Sequence, residues 1–250
     1  MLLFLTFSCY AQTKVCVIGE FHEENKLINP DTLFQILEKI KPDLILIELD
    51  SSFFTKDFNF DFDKDPDFLS ENQTMASYRY QQKYKIALRP YDISGRNEFY
   101  KKEKYFFNER ESLNHILSLH SANKLSKTSE NYFNLFISTV ELYNQVKYNS
   151  LKEVNSDLNQ KFTELKYKTI YDLIISITQD TEELNKWIPF AQLQKDFWVK
   201  RNEVMAENIV KYSKEFENKT IVVFMGFEHK YYIVNLLKEQ NINLAEYWEF

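Results

Sequence analysis

Residues 14–50 read KVCVIGEFHEENKLINPDTLFQILEKIKPDLILIELD, and this stretch decides the fold class. It begins with a short apolar run, Lys14–Ile18, that is typical of a buried strand. A helix is predicted next, because Asn29-Pro30-Asp31 is a start signal and apolar residues follow it at helical spacing. After a break at Lys41-Pro42-Asp43 comes a second buried strand, Leu44–Leu49. Strand, helix and strand in about 35 residues predict a βαβ unit, hence a parallel pair with a right-handed crossover.

The remainder of the chain extends this pattern. A third buried strand is predicted at Thr220–Met225, followed by a helix at Tyr231–Glu239 and a short strand around Leu244–Trp248. Residues 85–91 favour another strand, whereas the chain between about 95 and 190 is polar, helix-permissive and free of convincing strands. We therefore predict an α/β fold with a mostly parallel central sheet flanked by helices. Residues 12–250 form one domain, with a large helical insertion at about 95–190.

Composition excludes several classes of function. The 250 residues carry a formal net charge of −6, whereas nucleic-acid-binding proteins normally show a basic footprint, so we expect no nucleic-acid partner. The 3 glycines, Gly19, Gly95 and Gly226, are far apart, which excludes a Walker loop or a dinucleotide-binding fingerprint. No apolar run after the first few residues is long enough to cross a bilayer, so no transmembrane segment is expected.

The first residues, MLLFLTFSCYA (1–11), are typical of a secretory signal peptide, although the usual positive start is missing. Cys9 and Ala11 occupy the −3 and −1 positions of a cleavage site before Gln12, which predicts a secreted or periplasmic protein. The alternatives are the start of a buried strand and, less favoured, a lipid-modified Cys9. Cleavage leaves Cys16 as the one cysteine, so the mature chain has no intramolecular disulfide.

A Gly-x-x-His pattern occurs twice, as Gly19-Glu20-Phe21-His22 and as Gly226-Phe227-Glu228-His229. Each copy comes directly after a predicted buried strand, and Glu48 lies at the end of another. In an open parallel sheet, ligands bind at the carboxyl ends of the strands. These residues are therefore expected to converge on one rim, with Asp92 just beyond the strand predicted at 85–91.

Imidazoles combined with carboxylates favour a divalent transition metal, namely Mn, Co, Zn or Fe. We assign His22, Glu48 and His229 as its ligands and Glu20 as the general base, although the two glutamates could exchange these roles. The alternative is that each histidine packs at a strand end and forms local hydrogen bonds.

A helix predicted at 195–216 adds a cation to this set, because Arg201 lies on the same stripe as Phe197 and Met205. A buried guanidinium needs an anionic partner. That partner is either a carboxylate of the sheet or a substrate carboxylate or developing oxyanion. The adjacent Asn202 could orient a substrate.

Four segments together resemble the TraB/GumN/Tiki superfamily. They are VIGEFHEEN (17–25), KPDLILIELD (41–50), WVKRNEVMAENI (198–209) and IVVFMGFEHKYYIVNLL (221–237). The resemblance covers residues 14–52 and 196–240. It implies an α/β fold with a helical insertion and, as in the Tiki members, metal-dependent proteolysis.

Each predicted site residue has a counterpart in that family. His22 and His229 match the motif histidines, Glu20 and Glu48 match acidic positions, and Arg201 with Asn202 matches the helix pair. The chain departs from the family after the second motif, where Lys230-Tyr231-Tyr232 replaces a common glycine. We expect this change to crowd the mouth of the pocket or to alter the backbone there.

The sequence thus predicts a secreted or periplasmic metal-dependent hydrolase that cleaves an amide bond in a peptide or small-molecule substrate. One alternative is a non-catalytic ligand-binding protein on the same scaffold, for example one that binds haem, as some lipoproteins of the wider superfamily do. Another is a structural α/β domain whose histidines are satisfied locally. His115 and His120, five residues apart, are interpreted as exposed helix residues outside any site.

Overall fold

The structure is a computed structural model that describes residues 12–64 and 67–250. The signal peptide predicted at residues 1–11 lies outside the described residues. Five strands form a sheet in which every neighbouring pair is parallel. They are β1 (Lys14–Glu20), β2 (Leu44–Ile47), β3 (Ala87–Pro90), β4 (Thr220–Gly226) and β5 (Leu244–Ala245). The predicted α/β fold with a parallel sheet is confirmed.

Strand order corrects one detail of the prediction. The order is β3-β2-β4-β1-β5, so β4 lies between β1 and β2. The two strands of the predicted βαβ unit are parallel, but the prediction that they pair with each other is wrong. β4 pairs with β1 along its whole length, from Thr220 opposite Lys14 to Gly226 opposite Glu20. A local pattern cannot reveal this, because the inserted strand comes from the other end of the chain.

Helices cover the sheet and make up the segment between β3 and β4. In the described part of the chain they are α1 (Pro30–Ile40), α2 (Asn72–Tyr84), α3 (Arg96–Lys102), α4 (Tyr105–Ser121), α5 (Lys127–Asn144), α6 (Leu151–Val154), α7 (Asp157–Asp180), α8 (Ile188–Glu215) and α9 (Phe227–Glu239). Short 3-10 helices occur at Ser51–Phe53, Phe68–Ser70, Glu182–Trp187 and Tyr247–Glu249. None of the described helices is both long and apolar enough to span a membrane.

The limits of α1 follow directly from its sequence. The Asn29 side chain accepts a hydrogen bond from the Thr32 N–H at 2.9 Å and so caps the helix. Pro30 stands in the first turn, where its missing N–H costs nothing. The helix ends at Ile40 because Lys41 adopts a left-handed conformation with φ of 53°. The chain can then turn back into β2.

Alternate residues of each strand point to opposite faces of the sheet, and each face has its own core. On one face Cys16 and Ile18 belong to a cluster that includes residues of α1 and α2. On the other, Val15 and Val17 pack with residues of α8 and α9. The helices between β3 and α8 have a third, smaller cluster around Ile177. Since both faces are covered, polar side chains gather at the strand ends.

Two helices carry site residues to that edge. α9 begins at Phe227, directly after Gly226 of β4, which is four residues before the predicted start at Tyr231. His229 therefore lies in its first turn. α8 is longer than predicted, with 28 residues, and α7 packs against both α8 and α9.

Candidate functional site

The predicted site residues meet at the carboxyl edge of the sheet. They come from the end of β1, the segments after β1 and β2, and helices α8 and α9: Glu20, His22, Glu48, Arg201, Asn202 and His229. Glu48, Arg201, His229 and Asn202 form a chain of hydrogen bonds. Glu20 and His22 lie beside each other, and the His22 ring packs against Gly226. This convergence is the arrangement that the strand-end positions predicted.

Two buried carboxylates of the rim hold Arg201. Its Nε and Nη2 each donate to Asp92 at 2.9 Å, and Nη2 also donates to Glu48 Oε1 at 2.5 Å. The carboxylate partner that a buried guanidinium requires is therefore supplied by the protein itself. The Nη1 atom of Arg201 carries two hydrogens. One of them faces His229, and the other has no partner in the described structure.

Asp92 links Arg201 to a second arginine. Its Oδ2 accepts a hydrogen bond from Arg96 Nη1 at 2.6 Å, and its Oδ1 also accepts one from the Ile93 N–H. The Asp92 side chain is fully buried. The sequence indicated its position near the rim, and the structure shows that it organises two guanidinium groups.

The tautomer of His229 is determined by its neighbours. Asn202 Nδ2 donates to the Trp198 carbonyl, so the Asn202 oxygen faces His229 Nδ1, at 2.8 Å, and must accept a hydrogen. The Nε2 atom then accepts from Arg201 Nη1 at 3.1 Å. Burial and the Arg201 charge lower the pKa of His229 to about 4. Its imidazole is therefore neutral at pH 7.

Aromatic rings cover one side of His229. The Trp198 indole stacks on the imidazole, with ring centroids 4.4 Å apart, and Tyr167 of α7 stacks on Trp198 at 4.3 Å. Tyr167 also donates to Glu228 at 2.5 Å, and Lys166 donates to the same carboxylate at 2.7 Å. The helical insertion thus contributes directly to the surroundings of the second Gly-x-x-His motif.

Glu48 connects β2 to β4. Its Oε2 accepts a hydrogen bond from the Gly226 N–H at 2.6 Å, while Oε1 is held by Arg201. Burial by itself would raise the pKa of Glu48, but the Arg201 guanidinium, the protonated His22 and the Gly226 N–H hold that pKa below its ordinary value. Glu48 is therefore a carboxylate at every pH where the protein is expected to function.

Glu20 differs from the other carboxylates of the rim. It is fully buried, and its described contacts with donors are limited to one ion pair, on Oε1, while Oε2 has no hydrogen-bond partner in the described structure. His22 Nδ1 lies 3.2 Å from its Oε1. Burial raises the pKa of Glu20 above its ordinary value, against the opposing effect of His22. A buried carboxyl group with so few contacts is unusual in a folded protein and calls for an explanation.

His22 is the most accessible member of the set, with 44% of its side chain exposed. Burial of the ring would lower its pKa, but Glu20 and Glu48 raise it to about 9. His22 is thus protonated at pH 7, whereas His229 is neutral. The two motif histidines therefore differ in charge, although their motifs are alike.

Both motif glycines are required by close packing. A Cβ at Gly226 would lie 2.9 Å from His22 Nε2 and 3.6 Å from Glu48 Oε2. A Cβ at Gly19 would lie 2.9 Å from the Phe227 Cα. The two motifs therefore touch each other, the first through the His22 ring and the second through the Gly226 backbone.

Several residues that support the site were not predicted from the sequence. Gln73 of α2 is fully buried; its Oε1 accepts from the Glu48 N–H and its Nε2 lies 3.3 Å from His22 Nδ1. Asn155, just after α6, bonds both backbone groups of Gly19. No sequence signal distinguishes such buried amides from ordinary surface ones, because their partners are far away in the chain.

The two residues that follow the second motif directly, Lys230 and Tyr231, are buried. The Lys230 ammonium donates to Glu246 at 2.8 Å and to Asn155 at 3.0 Å. Lys230 and Tyr231 are therefore accommodated by packing inside the protein. His115 and His120 lie on α4, half-buried rather than exposed, beside Trp187 and Glu130 respectively.

The donor set suits a divalent ion in its chemistry, since carboxylates and imidazoles adjoin and the Glu20 oxygens have no other partner. In the described residues, however, no three His, Cys, Asp or Glu side chains are grouped as metal ligands. The Arg201 guanidinium provides the positive charge between Glu48 and His229. His229 can become a metal ligand only if its Nε2 atom is released from the hydrogen bond with Arg201 Nη1. Glu20 and His22 can bind a metal without breaking a bond to Arg201.

Comparisons with protein-family models, with curated proteins and with solved structures found no significant match to this chain. The similarity to the TraB/GumN/Tiki superfamily therefore remains a prediction based on the motif residues.

Proposed function

We propose that this protein is a metal-dependent hydrolase that cleaves an amide bond in a peptide or small-molecule substrate. The observation that carries the proposal is Glu20, a fully buried carboxyl group whose Oε2 has no hydrogen-bond partner in the described structure and whose Oε1 has only the ion pair with His22. An unsatisfied buried carboxyl group is costly for stability, and such groups concentrate at functional sites. A location outside the cytoplasm, expected from residues 1–11, belongs to the same proposal.

His22 and Glu48 would hold the metal, with His229 joining them when Arg201 Nη1 withdraws. A bound divalent transition ion would act as a Lewis acid toward the substrate carbonyl and would activate water. His22 must lose its proton to become a ligand, so we expect metal affinity to fall as the pH falls.

Glu20 is the residue best suited to move protons. Because burial raises its pKa, this carboxyl group holds a proton taken from the attacking water more readily than an exposed glutamate does. The same proton can then pass to the leaving amine. Its position beside His22, at 3.2 Å, places it at the edge of the proposed metal site.

Arg201 and Asn202 orient the other groups. Arg201 holds Glu48 through Nη2, and its remaining Nη1 hydrogen is available to a substrate oxygen that becomes negatively charged. Asn202 fixes the hydrogen of His229 on Nδ1, so that Nε2 keeps its lone pair directed at the rim. Asn202 does this from its present position, whereas Arg201 Nη1 must move away from His229 Nε2 before that nitrogen can bind a metal.

The test is metal content measured by mass spectrometry on purified wild-type protein and on His22→Ala and His229→Ala. His115→Ala and His120→Ala are matched controls, because these histidines lie on α4 away from the rim. We expect metal in the wild type and in both controls, and its loss in His22→Ala. No metal in the wild type, or equal content in all variants, would refute the proposal. In that case a Soret band on haem titration, lost in His22→Ala, would favour the ligand-binding alternative.

A further inference from the structure

A cavity of about 590 Å³ lies between the start of α3 and the amino-terminal part of α8. We refer to it as the α3–α8 cavity. Its walls are mainly apolar and include Ile93, Phe99, Pro189, Leu193 and Phe197. None of these residues belongs to the rim described above. The volume is within the range of about 300–1,000 Å³ that is typical of small-molecule sites.

The cavity adjoins the rim through shared side chains. Arg96, which lines the cavity, is bonded to Asp92, and the same carboxylate holds Arg201. Phe197 precedes Arg201 by four residues on α8, so the two side chains are neighbours on one side of that helix. A molecule in the cavity is therefore within one helical turn of the guanidinium that faces the rim.

The wall of the cavity includes a stacked pair of aromatic rings. Phe99 and Phe197 stack in parallel, with ring centroids 4.0 Å apart and an angle of 7° between their planes. Apolar walls of this kind favour a large apolar or aromatic group over a polar one, since a polar group would lose its hydrogen bonds to water there.

We propose that the α3–α8 cavity binds a large apolar or aromatic side chain of a peptide substrate next to the bond that is cleaved. The inference rests on the proposed hydrolase function and specifies its substrate class. The cavity makes the enzyme selective for a bulky apolar residue, and a glycine at the same substrate position leaves the cavity unfilled.

Binding is tested without catalysis, by NMR titration of metal-free protein with N-acetyl-L-phenylalaninamide and with N-acetylglycinamide. We expect the first compound to shift the amide signals of residues 93–99 and 192–197 and the second to bind at least about tenfold more weakly. In Leu193→Trp, the added indole fills the cavity and should weaken binding of the aromatic compound by at least about tenfold. Leu142→Trp, at an exposed position of α5, is the matched control and should bind as the wild type does.

If Leu193→Trp does not fold, Gln192→Trp at the exposed mouth of the cavity replaces it, with the same expectation. Equal binding of the two compounds, shifts elsewhere in the protein, or unchanged binding in the cavity variant would overturn the assignment. Aromatic binding at the cavity without amide hydrolysis under any metal would support the cavity and refute the hydrolase. Hydrolysis without preference for an aromatic residue, unaffected by Leu193→Trp, would support the hydrolase and refute the cavity.

Discussion

Replacing Gly226 with alanine adds one methyl group at the point where the two Gly-x-x-His motifs meet. The new Cβ would lie 2.9 Å from His22 Nε2, whereas ordinary contact begins near 3.4 Å, so the nitrogen must retreat by about 0.5 Å. The His22 ring can do so because 44% of its side chain is exposed. The Gly226 backbone, with φ of −54° and ψ of 127°, suits alanine.

We therefore expect Gly226→Ala to change function without changing stability greatly. The lost entropy of the unfolded glycine favours alanine by about 0.4–1 kcal/mol, which offsets much of the cost of displacing the ring. Displacement of the ligand by about 0.5 Å should reduce metal affinity by roughly tenfold, the lower end of the loss of about 10–100-fold that follows when the groups orienting a metal ligand are changed.

Gly19→Ala is the control, because there the Cβ would meet the Phe227 Cα, a backbone atom, at the same 2.9 Å. Such overpacking should cost about 1–3 kcal/mol, or a fall in Tm of roughly 2–12 °C. Metal affinity is measured by calorimetry, stability by urea unfolding. Wild-type metal affinity in Gly226→Ala, or a loss of stability equal to that of Gly19→Ala, would show that the contact with His22 is not the reason for Gly226.

Three other experiments test separate parts of the structure: a substitution, a pH titration and a labelling reaction. Arg201→Met removes the ion-pair partner of the buried Glu48 carboxylate and leaves Asp92 with Arg96 alone. The substitution should lower the free energy of unfolding by about 3–5 kcal/mol in urea, whereas a loss below about 1 kcal/mol would contradict the network. In metal-free protein, neighbouring carboxylates outweigh burial and raise the pKa of His22 to about 9, so its contribution to stability is complete below pH 6.5 and is lost as the pH rises to about 9. An NMR titration midpoint for this ring at or below pH 6.5 would contradict that sign. Burial raises the pKa of Cys16 to about 12, so folded protein at pH 8 should not react with iodoacetamide at this thiol, and rapid labelling found by peptide mapping would be inconsistent with its burial.

The rim could be predicted because its residues follow strands that the sequence marks strongly. Gly19 and Gly226 are separated by more than 200 residues, yet each ends an apolar strand, and carboxyl ends of parallel strands share one edge. The buried stripe of α8 likewise indicated that Arg201 needs an anionic partner, either a carboxylate of the sheet or a group of the substrate. In both cases the spacing of apolar residues along one element was sufficient to locate the polar residue, because the apolar side of that element must be buried.

The neighbour of each strand and the supporting amides could not be predicted in this way. The position of β4 between β1 and β2 depends on pairing across the whole chain. Gln73 and Asn155 act through hydrogen bonds to residues 25 and 136 positions away. The different charge states of His22 and His229 also follow only from the structure, because Glu20 is beside one ring and Arg201 beside the other.

Anomalous X-ray diffraction at the absorption edge of the metal, from crystals grown with Mn²⁺ or Zn²⁺, tests the central claim most directly. We predict one strong peak at the carboxyl edge of the sheet, in contact with His22 and a rim carboxylate, and no such peak in crystals of His22→Ala. A rim without a peak, with the ion bound only at surface residues, would contradict the proposal that this site is a metal centre.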